Sequence, residues 1–138
     1  MTRIAIGMTM PDGTVRAIEV DNYSVVKTEE ILVKYYCTRE QVEALINLGH
    51  LASLGPQIEL DPNTILPPRD KLLSNVTVAY HRDYGDPYTP PVVFENGLLY
   101  QANGLSVFGA TFILLFYNGI WYETCYFKNE LLPWVEAK

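Results

Sequence analysis

The sequence predicts an α+β domain: an antiparallel sheet of an N-terminal hairpin plus C-terminal strands, with two helices, about 28–37 and 39–48, packed on one face. Three observations predict it. Apolar residues alternate with polar or small ones over 3–20 and again from 76 onward, the period of a strand. Between them, apolar residues recur at helical spacing behind a capping signal. Asn-Gly pairs then punctuate apolar runs in the last third, as hairpin turns do. The 138 residues are read as one domain, 1–138, because a chain of this length has room for one ordinary core.

In chain order, Ile4, Ile6 and Met8 alternate with Arg3, Ala5 and Gly7. Pro11-Asp12-Gly13 supplies turn chemistry, and Thr14 to Val20 is the β-branched return strand. Thr28 is expected to cap a first helix whose apolar face is Ile31, Leu32, Tyr35 and Tyr36. Thr38-Arg39-Glu40-Gln41 is a capping box opening the second, with Val42, Leu45 and Ile46 on one stripe and Gly49 past its end. From His50 to Ser74 four prolines erase the periodicity; the stretch either hides a short element or lies over the sheet as a flap. Val76, Val78 and Tyr80 read as a strand. Val92 to Tyr100 around Asn96-Gly97, and 110–127 around Asn118-Gly119, read as hairpins. The tail from Lys128 carries at most one helical turn.

Thr111 to Tyr117 does not alternate: both faces of that strand are apolar. Two helices can cover one face, so the other is expected to meet either the 50–74 segment or a partner, most simply a second copy of the chain. The residues expected at such an interface are Phe112, Leu114, Phe116, Trp121, Tyr122 and Tyr126.

Net charge is −6, with 16 acidic against 10 basic residues, which argues against direct nucleic-acid contact and against an anionic membrane surface. The acids are too scattered to mimic DNA. The longest apolar stretch is far shorter than a bilayer span, and the expected location is the cytoplasm of a host cell. Cys37 and Cys125 sit among aromatics and read as buried free thiols.

Chemical motifs are sparse. His81-Arg82-Asp83 matches a kinase triplet without the glycine loop or length of a kinase, and Gly104-Leu105-Ser106-Val107-Phe108 fails the nucleophile elbow at Phe108. No phosphate-binding glycine loop is present, and His50, His81, Cys37 and Cys125 lack metal-ligand spacing. No catalytic residue, metal or cofactor is assigned. The cluster His81, Arg82, Asp83, Tyr84 and Asp86 stands as a candidate ligand site, with a solvated turn as the plainer reading. His50 is expected to face the end of the preceding helix.

Gly13-Thr14-Val15-Arg16-Ala17-Ile18, Ile31 to Tyr36, and Leu45 to Gly55 resemble a group of small phage- and prophage-encoded proteins. Val78 to Asp83 and Tyr117 to Trp121 are similar to it as well. Members often carry a His-Trp-Asp-Gly-Tyr-Pro-like run after the second strand, where this chain has Val20-Asp21-Asn22-Tyr23-Ser24. The resemblance implies a viral accessory setting and no mechanism. With it, the expectation is a non-catalytic protein that binds a host or defence-system protein, in the manner of an anti-CRISPR inhibitor, alone or as a homodimer. The alternatives are a small-ligand or nucleotide-binding protein or enzyme using His81–Asp86, and a structural assembly protein.

Overall fold

A computed structural model describes residues 2–22, 24–63, 65–66, 76–128 and 130–137. Residues 67–75, the second half of the proline-rich segment, and the Tyr126 side chain lie outside the described residues. The chain runs β1 (Thr2–Thr9), β2 (Val15–Asn22), α1 (Val25–Tyr35), α2 (Arg39–Ile46), β3 (Leu51–Ser53), β4 (Val78–Ala79) and α3 (Tyr80–Tyr84). It continues through β5 (Val92–Phe94), α4 (Gly97–Phe108), β6 (Phe112–Tyr117), β7 (Ile120–Thr124), β8 (Tyr126–Phe127), β9 (Glu130–Leu131) and β10 (Val135–Glu136). The main sheet has the order β10-β7-β6-β1-β2-β3-β4, with β5 paired to β2. The α+β class holds. The sheet is mostly antiparallel, but β1 runs parallel to β6 and β2 parallel to β3.

The β1–β2 hairpin forms where alternation places it. Asp12 accepts from the Thr14 backbone N–H (3.0 Å) and hydroxyl (2.6 Å), and Gly13 takes φ +88°. Those two bonds hold the Asp12 carboxyl below its usual range. At α2 both halves of the capping box are made, an arrangement worth about 1 kcal/mol. Thr28 is not the cap of α1. Ser24 is, accepting from the Lys27 N–H, while Thr28 is buried inside the first turn and donates to the Ser24 carbonyl. Tyr35 is exposed, and Cys37 is exposed as well, its thiol turned back on the Val33 carbonyl; only Cys125 is half-buried.

The larger correction concerns 92–108. Asn96-Gly97 does not turn a hairpin: Asn96 caps α4 by accepting from the Leu99 N–H, and Gly97 does not take positive φ. This helix explains the strand with two apolar faces. One face of the sheet (Ile4, Ile6, Met8, Ile18, Val20, Leu114, Phe116, Trp121) packs on α1 and α2. The other (Ala5, Val15, Ala17, Ile113, Leu115) packs on Tyr100, Leu105 and Phe108 of α4, with Phe94 and Trp134 beside them. The chain therefore covers the second face with its own helix, and neither the 50–74 segment nor a partner is needed to do so. Leu114, Phe116 and Trp121 are core residues, Phe112 packs against the same core, and Tyr122 is half-buried. The apolar residues left open on α4 are Leu98, Leu99 and Val107, in a stretch without a charged residue from Gly97 to Tyr122.

His50–Ser74 does hide a short element, β3, whose three residues are all buried. The tail, expected to hold at most a helical turn, forms β9 and β10 instead. No helix among the described residues is long and apolar enough to cross a membrane.

Glu29 of α1 and Glu123 of β7 meet on the α1/α2 side. Burial, then a hydrogen bond and the charge of Glu123, push the Glu29 carboxyl from 4.5 up to about 8. One Glu123 carboxylate oxygen is buried with no hydrogen-bond partner. The folded chain therefore holds a proton that the unfolded chain gives up. Stability is greatest below the unfolded value and falls as pH rises through the window from 4.5 to about 8. Glu29→Gln keeps a donor to Glu123 without the ionisation. It is expected to raise stability at pH 8 by about 1 kcal/mol, a figure already reduced for solvent screening at a half-open site, and to change little at pH 5. Thermal melts of both proteins at the two pH values check this; equal shifts at both would contradict it.

Candidate functional site

Residues of one parity on β2 share a face, so Val15, Ala17, Glu19 and Asp21 point to the α4 side. Val15 and Ala17 lie under the helix, and Glu19 and Asp21 lie beyond its C-terminal end. There the sheet is open, and a cleft of about 460 Å³ forms over the two carboxylates. His50 and Leu48 border it from the chain after α2, Tyr80 and His81 from α3, and Asp86 and Pro87 from the loop that follows.

Backbone bonds fix the two imidazoles of this cleft. His50 Nδ1 accepts from the Glu19 backbone N–H at 3.1 Å, so the ring carries its proton on Nε2. His81 Nδ1 lies 2.7 Å from the Asp86 carbonyl oxygen, which can only accept. That nitrogen therefore donates, and in the neutral ring Nε2 keeps the lone pair. The two imidazoles offer the cleft opposite hydrogen-bonding characters. His50 also meets Phe108 edge-on, and His81 meets Tyr88 in the same way. Tyr80 donates to Asp21 Oδ2 at 2.6 Å, and burial, reinforced by Asp21, pushes its hydroxyl well above the usual range. This phenol is a donor held to a carboxylate and a poor base. Arg3 lies at the margin, with Nε 3.5 Å from Glu19 Oε2 and 3.3 Å from Asp21 Oδ1, and donates from Nη1 to the Phe108 carbonyl at the end of α4.

Of the predicted cluster, His81 and Asp86 reach the cleft. Arg82 and Asp83 serve the fold. Arg82 grips Asp83 through two 2.9 Å bonds and also donates to the Ile58 (2.6 Å) and Thr77 (3.0 Å) carbonyls. Asp83 accepts from the Ala79 N–H at the start of α3. Tyr84 packs with Tyr80 over Ala52 and Val78. The cluster is thus a one-turn helix closed by Gly85 at φ +75°, neither wholly a site nor a plain solvated turn. His50 does not cap α2; it bonds to β2. Sequence reasoning missed Glu19, Asp21, His50 and Tyr80. The parity of β2 was the available signal for the first two, since two acids continue a face that begins Val15, Ala17. Among the described residues no three His, Cys, Asp or Glu side chains are placed to hold a metal ion. No protein-family model, curated protein or solved structure matches the chain.

Proposed function

We propose that this protein is a non-catalytic binding protein of phage or prophage type that acts on a host protein, in the role of a defence-system inhibitor, with the Glu19–His50–His81 cleft as its recognition surface. The observation that carries the binding reading is the cleft itself: polar groups converge in a concavity, the two imidazoles held by backbone bonds and Tyr80 held by Asp21. Such pre-set donors and acceptors recognise without needing to move. The arrangement suits binding better than turnover. Tyr80 is tied to Asp21, neither imidazole is bonded to a hydroxyl or thiol among the described residues, and Cys37 lies away from this cleft, beside Arg39 and Phe116. The phage setting and the defence-system target rest on the segment resemblance given above. For the homodimer and assembly readings, the strand faces that motivated them are covered, and the outer side of α4, with Leu98, Leu99 and Val107, is one exposed apolar surface that could serve self-contact.

The test is comparative capture. Tagged wild-type protein should retain a bacterial partner that a His50→Ala His81→Ala variant, folded by circular dichroism, loses by roughly tenfold or more, the effect of removing convergent polar contacts. Equal retention by the variant would remove the cleft from the function.

A further inference from the structure

We infer that the protein pairs with a second copy of itself through the open sheet surface beyond the first turn of α4, at the end of the β6–β7 hairpin. Strand parity assembles this surface. Gly97, the first residue of α4, lies over Leu115, where an added Cβ would sit 3.8 Å from the leucine side chain. Farther along the helix, Gly104 approaches Ile113 in the same way at 3.6 Å, so α4 runs away from the hairpin end. Tyr117 is the next residue of β6 on that face after Leu115. β7 sets Tyr122 opposite Leu115 and Ile120 opposite Tyr117, which places both on the same face. Tyr117 is 52% exposed and Ile120 38%, Tyr122 is half-buried, and Leu98 in the first turn of α4 is 74% exposed. Apolar side chains scattered singly over a surface need no explanation, but these adjoin one another.

Charge selects the occupant. The chain carries a net −6, so two copies that meet on a charged surface bring like charges together. Asn96 to Tyr122 holds no charged residue, and this one run supplies α4, β6 and the hairpin end. Glu136, opposite Tyr122 on β10, flanks the patch at its margin. A strongly charged partner finds no counter-charge within it, whereas its own image matches it in polarity. A two-fold dimer needs only one such self-complementary patch. The Tyr117 and Tyr122 rings, tilted with centres 6.5 Å apart, offer broad contact area at a low cost in side-chain freedom. Four partly open side chains of this size present on the order of 400 Å², half of a standard partner face, which places the pairing in the micromolar range. This surface lies at the opposite end of α4 from the Glu19–His50–His81 cleft, and neither depends on the other.

The experiment is sedimentation equilibrium of the full chain over about 5 to 500 µM, a range that brackets a contact of this size. The weight-average mass should rise from one chain toward two and stop there. Sodium sulfate should tighten the pairing, because it strengthens apolar burial and screens the marginal acids. Leu98→Glu and Tyr117→Glu each set a carboxylate near its own image and should weaken pairing by about tenfold or more. Val26→Glu, at an exposed apolar position on α1, should leave pairing unchanged. Should either charged variant fail to fold, amide shifts in a dilution series of the wild type decide instead, and they should centre on Leu98, Tyr117 and Ile120. A single chain throughout the range overturns the inference, as do dimers indifferent to both substitutions, dilution shifts centred elsewhere, and a mass that grows past two chains. A chain that stays single but loses a bacterial partner on Leu98→Glu assigns the surface to a foreign protein and overturns self-pairing.

Discussion

Trp121→Ala is expected to destabilise the isolated chain by about 3–5 kcal/mol, a drop in Tm on the order of 10–15 °C for a domain of this size. Trp121 is 4% exposed on the α1/α2 side of β7, tilted against Phe116 at 5.1 Å between ring centres. Its indole N–H donates to the Tyr36 carbonyl at 2.9 Å, where α1 ends. Truncation therefore opens a cavity and strands a buried acceptor at a helix terminus, two costs that add. Trp121→Phe keeps most of the volume and loses the bond, so it should cost about 1–2 kcal/mol. The pair separates two roles for the same residue. An interface tryptophan would leave the melting of the monomer nearly untouched and weaken association instead. Urea unfolding at two protein concentrations reads this directly: an unchanged midpoint for Trp121→Ala would return β7 to the surface.

The elements legible in the sequence are those whose signal is local and has one meaning. The period-two run on either side of Pro11-Asp12-Gly13, and the reciprocal Thr38–Gln41 cap, need no distant partner to be interpreted. Asn-Gly is different, because asparagine serves two structures. At Asn118-Gly119 both residues take positive φ, 53° and 83°, and the hairpin forms as expected. At Asn96-Gly97 the asparagine side chain instead accepts from the Leu99 N–H and starts a helix. What distinguishes the two lies downstream: Tyr100, Gly104 and Phe108 recur every fourth position and are all buried, a helical stripe hidden by an outer face that also lacks charge. Reading that stretch as strand left one sheet face uncovered and created the expectation of a partner. One misassigned element thus produced the interface residues as well.

The cleft was half legible for a similar reason. His81 and Asp86 stand close in sequence, and a cluster of titratable groups invites attention. Glu19 and Asp21 lie more than fifty residues away, on a strand read chiefly for its apolar positions. His50 joins them only because β3 runs parallel to β2, a pairing of Leu51 with Val20 that no local pattern announces. Long-range register therefore decides the composition of the site, and α3 supplies the remainder. Arg82 illustrates the converse: its charge looked available, yet the buried carbonyl of Thr77 and the turn at Ile58 claim it.

Gly7→Val is expected to cost on the order of 3 kcal/mol or more, with Gly7→Ala about 1–3 kcal/mol, although both raise strand propensity. Gly7 sits mid-strand in β1, between Ala17 and Leu115, on the side covered by α4. A Cβ there would lie 2.8 Å from two ring carbons of Tyr100 and 3.0 Å from its hydroxyl. The ring cannot retreat. It is fully buried, its hydroxyl donates to the Leu114 carbonyl at 2.9 Å, and Trp134 stacks behind it at 5.9 Å between ring centres. On its own helix, Gly104 leaves no slack either, since a Cβ there would come within 3.1 Å of the same ring. A bare strand position is thus what lets a tyrosine lie flat between β1 and α4, the close approach that a glycine inside a strand signals. The coupling is measurable. Tyr100→Leu alone should destabilise by opening space and orphaning the Leu114 carbonyl, and Gly7→Ala should cost much less in that background than in the wild type. Denaturant midpoints of the four proteins give the cycle. Additive losses would mean that residue 7 and the ring do not press on one another and that α4 stands further from the sheet than this packing requires.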